Sequence, residues 1–314
     1  MLALLGAGFL GWSLGANDAS NVFGSAVSSR MLRFRSAAVL AAVFVVLGAV
    51  LQGRAGIETL KGLTGMNLSQ AIVSSWAAAV TVTVMTLLRL PVSTSQAVVG
   101  AIVGVGLMNR HMNLSGLGKV TACWFGTPLG GMIAAVIVFK VLGALYNRLE
   151  IDLFQSDAFL RGALVVAGSY GAYALGANNV ANVTAVFVGA GYLSAFSATL
   201  IGGVSIALGI LTFSRGVMET MGRKLIKLDP FSALVVVLAE AICVHLYTVI
   251  GVPVSTSQAV VGAIIGVGLV KGITTVSRRT LGHIFAAWFV TPVLGGLIAA
   301  VLHIAMHLRY VPAG

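Results

Sequence analysis

The sequence is poor in charge. Asp, Glu, Lys and Arg make up 9% of its 314 residues, and only 8 residues are acidic. A soluble domain carries about 25% charged residues, so this chain cannot present water with a surface all round. Cysteine is almost absent. Cys123 and Cys243 stand in apolar segments without metal-ligand spacing, which leaves them as reduced packing residues. No basic stripe is interleaved with aromatics, so the net charge of +11 does not point to nucleic acid. It fits instead the Lys and Arg excess of loops on one side of a membrane. No nucleophile–base pair or metal cluster is legible, so the chain does not read as an enzyme, and no cofactor is expected.

What the sequence does hold is apolar length. Hydrophobic residues make up 58%, and several stretches reach about 18 residues, enough to cross a bilayer core as a helix. Polar residues are too few for the alternation of a barrel, so an all-α polytopic membrane protein is expected. Residues 1–14 have no basic n-region and no small-residue cleavage site, and they read as the start of the first spanning helix.

The chain is written twice. PVSTSQAVVGAIVGVGL begins at Pro91 and returns as PVSTSQAVVGAIIGVGL at Pro253, differing only at Val103 against Ile265. LGANDASNV, from Leu14, returns as LGANNVANV, from Leu175. RAGIETL, from Arg54, returns as RGVMETM, from Arg215, and WFGTPLGG, from Trp124, returns as WFVTPVLGG, from Trp288. The order is the same, so a duplicated unit of about 160 residues is the economical account. The expected division is an N-terminal repeat, 1–148, a short charged cytoplasmic linker, 149–161, and a C-terminal repeat, 162–314. Expected helices run over about 2–28, 36–53 and 116–147, and about 162–188, 197–214 and 279–308.

Pro91 and Pro253 break the helix before them, and the Ser-Thr-Ser that follows is an N-cap sequence. A new helix start inside an apolar region is tolerable only where its backbone is buried in protein or lines a cavity. Segments 70–108 and 231–270 therefore read as re-entrant hairpins with tips at Pro91–Gln96 and Pro253–Gln258. The rival is two full crossings each. Either way the crossings per half are odd in number, so the two repeats are inverted.

Loop charge agrees. With the N-terminus on side A, side B holds Arg30, Arg33, Arg35, Lys140, Arg148 and Arg161 from the first half. From the second it holds Arg215, Arg223, Lys224, Lys227, Lys271, Arg278 and Arg279. Side A holds Arg54, Lys61, Arg110, Lys119 and Arg309, and Arg89 belongs clearly to neither. Side B is then cytoplasmic, and both termini are extracytoplasmic.

Inverted repeats with broken helices mark a secondary transporter, with its site where the halves meet. The first tip offers Ser93, Thr94, Ser95 and Gln96; the second offers Ser255, Thr256, Ser257 and Gln258. Two facing helix N-termini with hydroxyls make a donor-rich cage for a tetrahedral oxyanion. The alternative use of the hydroxyls is plain helix capping. Asn17, Asp18 and Asn21, with Asn178, Asn179 and Asn182, are polar inside apolar spans and mark a functional site. Their oxygens suit a hard cation such as Na+; interhelical hydrogen bonding is the alternative. Glu58, Glu219 and Glu240 are candidates for a gate or for coupling. Glu58 and Glu219 have flanking basic residues as alternative partners, and Glu240 has Ala78 as its repeat mate.

These paired blocks resemble the inorganic phosphate transporter (PiT) family over nearly the whole chain. The resemblance implies a sodium- or proton-coupled phosphate symporter in the plasma membrane, with phosphate and Na+ (or H+) as its small partners. It implies that Asp18, the two Ser-Thr-Ser-Gln tips and the Asn residues form the site, and that Glu58 stands at an acidic position important in the family. It leaves a homodimer open. Many members have a large central cytoplasmic loop that is absent here, and some have His where Gln96 and Gln258 stand. Sulfate carriers share the superfamily but lack an intact GAND block. Asp18 bears on that choice. Hydrogen phosphate has a proton to donate to a carboxylate, and sulfate has none. Alternating access is expected, with the hairpins and GAN helices moving against the rest. An anion channel on this scaffold would need a continuous pore, which two converging tips oppose.

The orientation is testable. A cysteine placed at Ser194 is expected to react with an impermeant maleimide added to intact cells, and one at Ser29 is not; the reverse pattern would overturn the assignment.

Overall fold

The computed structural model describes residues 2–63, 65–87, 92–109, 112–225, 228–272 and 278–308. Arg89, Pro91, Arg110, Lys227 and Arg309 lie outside the described residues, as do the side chains of Arg223, Lys224, Arg278 and Arg279. The described residues form eleven helices and no strand. The first half holds α1 (Leu2–Ser28), α2 (Phe34–Gln52), α3 (Arg54–Lys61), α4 (Leu68–Leu87), α5 (Thr94–Met108) and α6 (Leu114–Tyr146). The second holds α7 (Leu153–Gly189), α8 (Ala195–Leu225), α9 (Pro230–Val249), α10 (Thr256–Lys271) and α11 (Arg278–Leu308).

Seven of these are long and apolar enough to cross a membrane: α2, α4, α6, α7, α8, α9 and α11. α1 has the length, at 27 residues, but is diluted by Asn17, Asp18, Ser20 and Asn21. The hairpins are unequal. Their first legs, α4 and α9, have 20 residues each, while α5 and α10 have 15 and 16. At 1.5 Å per residue the second legs reach only about 22–24 Å, short of a hydrocarbon core of about 30 Å. Their tips meet residues midway along α1 and α7, so each pair is a re-entrant hairpin.

Two boundaries differ from expectation. The segment 149–161, expected as a linker, is largely helical, because Asp152 caps α7 in a box with Gln155 and starts that helix at Leu153. The Glu-Thr blocks, which lie outside the expected helices, are also helical. In the first half Gly53 separates α3 from α2, and a Cβ there would lie 2.2 Å from Val180 Cγ1, so only glycine lets the chain pass α7. The second half has Ser214 at that place, and α8 runs on unbroken. At the entrance to the second hairpin Asp229 caps α9, with Pro230 at the first helical position, and pairs with Lys271 at the end of α10. Burial alone would raise the Asp229 carboxyl, but the Lys271 ammonium and Ser232 outweigh it and hold the carboxyl below its usual range. This clasp therefore contributes at neutral pH and is lost as pH falls through that lowered range.

The halves are interleaved. α1 packs on α8, and α7 packs on α2, so the first helix of each half lies against the second helix of the other. α5 packs on α11 and α10 on α6, so each hairpin is held by the long proline-containing helix of the other half. All four seams are backbone-close, as their glycines require. A Cβ at Gly15 or Gly176 would stand 2.0 Å from the carbonyl oxygen of Ile206 or Val45. A Cβ at Gly100 would stand 2.1 Å from the Pro292 oxygen, and one at Gly262 2.0 Å from that of Pro128. Those prolines stand inside α11 and α6 where the hairpins press on them.

Gly262→Ala is expected to lower the thermal midpoint of the detergent-purified protein, by the equivalent of about 1–3 kcal/mol of overpacking. Gly118→Ala, where an added Cβ meets nothing within 4 Å, is expected not to lower it. Equal midpoints would refute the backbone-close seam.

Candidate functional site

Each tip begins as its sequence requires. Ser93 and Ser255 are extended residues that cap α5 and α10, their hydroxyls accepting from the backbone N–H of Gln96 and Gln258 at 3.3 Å. One side-chain cap satisfies one of several orphan N–H groups, and the others of the first turn have no intrahelical acceptor. The second serine of each tip reaches across. Ser95 Oγ donates to the Val254 carbonyl and Ser257 Oγ to the Val92 carbonyl, both at 2.9 Å. This reciprocal pair joins the two tips directly.

The GAN blocks close the site from the sides. Asp18 is fully buried. Its Oδ2 accepts from Thr94 Oγ1 at 3.1 Å and from Asn179 Nδ2 at 3.2 Å. Asn21 Nδ2 donates to Thr256 Oγ1 at 3.0 Å, and Asn182 Nδ2 donates to Ser95 Oγ and Asn179 Oδ1, both at 2.9 Å. Asn178 grips the second tip with both ends of its amide. Its Nδ2 donates to the Val254 carbonyl at 2.8 Å, and its Oδ1 accepts the Val254 N–H at 3.0 Å.

Four buried acceptor oxygens in this cluster have no partner: Asp18 Oδ1, Asn182 Oδ1, Gln96 Oε1 and Gln258 Oε1. They come from α1, α7, α5 and α10. Such atoms are costly unless something donates to them or coordinates them. The arrangement therefore offers hard oxygen ligands and one carboxylate beside two helix N-termini. It can hold a cation and an oxyanion in contact.

The structure brings together Asp18, Asn21, Asn179 and Asn182 with both tips, Ser93 to Gln96 and Ser255 to Gln258. Asn17 turns away and donates to Thr86 on α4 at 2.9 Å. Asn178 joins the cluster as a brace for Val254. Glu58 and Glu219 do not enter it. Both are exposed and ion-paired within their own helices, to Lys61 and Arg215. Glu240 is buried in α9. The reading from sequence missed the carbonyls of Val92 and Val254. The signal was available in each repeated stretch, because the residue before an N-cap serine lies outside the helix and its carbonyl takes no intrahelical bond.

Comparison with known proteins places this geometry. The model of the phosphate transporter family matches twice, over residues 14–154 and 148–299, one match for each repeat. The "Sulfate permease CysP" of Bacillus subtilis is 31% identical over 310 residues, covering 96% of this chain and 86% of that protein. The "Putative phosphate permease MJ0630" of Methanocaldococcus jannaschii is 28% identical over 295 residues, 94% of each chain. A solved structure described as "The sodium-dependent phosphate transporter" superposes with a TM-score of 0.87 over 98% of both chains, at 23% identity, and so shares the fold.

Asn178→Ala is expected to destabilise the ligand-free protein more than Asn17→Ala. The first leaves a buried N–H and a buried carbonyl short of a partner, at about 1–3 kcal/mol for each such group, and the second removes one part-buried bond. Thermal unfolding in detergent decides; an equal loss would mean that Asn178 is no brace.

Proposed function

We propose that this chain, which belongs to the phosphate transporter family, imports inorganic phosphate across the plasma membrane by symport with a cation, Na+ in this reading. The observation that carries the proposal is the joined pair of identical tips around a single buried carboxylate, with acceptor oxygens left open. Phosphate oxygens take the free N–H groups and hydroxyls of the two tips. The remaining proton of hydrogen phosphate goes to Asp18 Oδ1, the oxygen without a partner. Na+ takes neutral and anionic oxygens nearby, from Asp18, Asn182 and the two glutamines, with Asn21 and Asn179 at the edge of that set. Cation binding comes first, because the bare Asp18 carboxylate repels a dianion, and Na+ cancels that repulsion.

The seams support a reading by alternating access. The GAN helices are locked backbone-close to α8 and α2, and the hairpins to α11 and α6. The division that keeps all four seams intact moves the hairpins with their proline-containing helices, against α1, α2, α7 and α8. It is an alternative to the expectation that the GAN helices travel with the hairpins. The interface between these two bodies contains the substrate, so occupancy and movement are coupled. Both termini lie outside in this reading, and Thr59 of α3, which donates to the Gly251 carbonyl before the second tip, lies on the outer face of the site.

Sulfate transport is the second reading, and the likeness to a sulfate permease favours it. Asp18 opposes it. A carboxylate facing sulfate meets an acceptor across a like charge, and a site that needs a donor rejects an analogue without one by about 10⁴-fold at best.

Labelled phosphate uptake into proteoliposomes, with Na+ and pH gradients imposed separately, tests the proposal; no uptake under either gradient would end it. Asp18→Asn keeps the size of the site and is expected to abolish concentrative phosphate uptake and the Na+ dependence of residual binding. It is also expected to shift competition towards sulfate, because the new amide can donate. Phosphate preference and Na+ coupling both unchanged in the variant would make Asp18 structural.

A further inference from the structure

Glu240 is the acidic residue that the proposed cage leaves unused. It lies in the middle of α9, is 0% exposed, and neither carboxyl oxygen has a hydrogen-bond partner. Its repeat mate is Ala78, so it owes nothing to the twofold pattern. Gly171 of α7 lies beside it. A Cβ at that glycine would stand 3.6 Å from Glu240 Oε2, 3.0 Å from Val22 Cγ1 and 3.7 Å from the Ala241 methyl. On that side the carboxyl is flanked by apolar atoms of α1 and α9. Val22 is one turn from Asp18 on α1, and the two carboxyls are near enough for their charges to interact.

Of the cations on the elements around it, Lys119 and Lys140 of α6 are exposed, and Arg161 of α7 is paired with Asp157. The other titratable groups there include Asp18 on α1, Tyr170 and Tyr173 on α7, Cys123 on α6, and Cys243, His245 and Tyr247 on α9. His245 is engaged through Nδ1 with the Tyr170 hydroxyl at 2.7 Å. Lys271 of α10 is held at the far end by Asp229, and Glu58 of α3 by Lys61.

A bare carboxylate in such surroundings is strongly unfavourable, so something must neutralise it. A sodium ion needs several oxygen ligands, and the side-chain atoms beside Glu240 at Gly171, from Val22 and Ala241, are carbon. A proton needs no further ligand. We propose that Glu240 is a proton-carrying site distinct from the cation cage, so that this transporter moves a proton together with its anion and Na+. The proposal rests on the transport reading above but not on which oxyanion is carried. The proton is taken up by a Glu240 oxygen when the site opens outward and is released from it when the site opens inward, with no other bond made or broken.

The experiment fixes external pH, and with it the speciation of external phosphate, and makes the vesicle interior alkaline in steps at a constant Na+ gradient. Accumulation by the parent is expected to rise by a further factor of about ten per pH unit relative to Glu240→Gln, the signature of one carried proton. An equal response in parent and variant overturns the proton site and leaves the phosphate reading standing. Labelled sulfate in the same vesicles separates the two: accumulation of sulfate alone, with the Glu240-dependent term intact, removes the phosphate reading and keeps the proton site. Infrared spectroscopy of the purified proteins supplies a readout that holds even if the variant does not transport. The parent at neutral pH is expected to show a protonated-carboxyl band that Glu240→Gln removes, and a band untouched by the substitution overturns the proposal.

Discussion

Two helices start in the middle of this protein, and a helix start cannot be left bare where water is scarce. The first N–H groups of α5 and α10 have no acceptor in their own turns. Ser93 and Ser255 satisfy one each, and Ser95 and Ser257 bind each tip to the carbonyl before the opposite one. What remains unsatisfied points into the space between the tips. The same requirement that makes the tips costly as structure suits them to the anion cradle proposed above. The proline-containing helices, the glycine seams and the GAN blocks all serve to hold these two helix starts face to face.

The symmetry of the cradle is incomplete, and its defects are informative. The serine contacts between tips are reciprocal, but the side walls are not. Asn178 braces the second tip with both ends of its amide, whereas its mate Asn17 reaches Thr86 in a hairpin leg. Thr94 donates to Asp18, while Thr256 accepts from Asn21. All these differences surround one substitution between repeats, Asp18 against Asn179, which converts a neutral amide into the single carboxylate of the cage. In the proposed reading a symmetric cavity would hold charge without reading its sign or its protons, and the one carboxylate at the centre is what would read both.

The repeats and the tips were legible because each rests on a local rule: a block written twice folds twice, proline breaks a helix, and serine caps one. Glu58 and Glu219 were ambiguous because each stands beside basic residues, and the ion pairs with Lys61 and Arg215 settle which neighbour is used. The start of α7 was misplaced because Asp152 and Gln155 were read as linker polarity rather than as a capping box. The pairing of seams was not legible at all. Glycine at 15, 100, 176 and 262 announces close approach, but nothing along the chain says which backbone will come close. Which helix lies opposite is a property of the interleaved halves, and local patterning carries no record of it.

That interleaving has a consequence for synthesis. Asp18 is made early, but the groups that bond it, Thr94 and Asn179, follow a long stretch of chain later. The carbonyl that nests against Gly15 belongs to Ile206, later still. α1 must therefore enter the bilayer and wait there with Asp18 short of Asn179, and Asn21 short of Thr256, until the second repeat arrives. In that interval a shielded exit beside the insertion machinery, or a neighbouring polar helix, has to stand in for the missing half. A chain interrupted after its first repeat would be a helical assembly with its most polar surface turned towards lipid, and a natural substrate for membrane quality control.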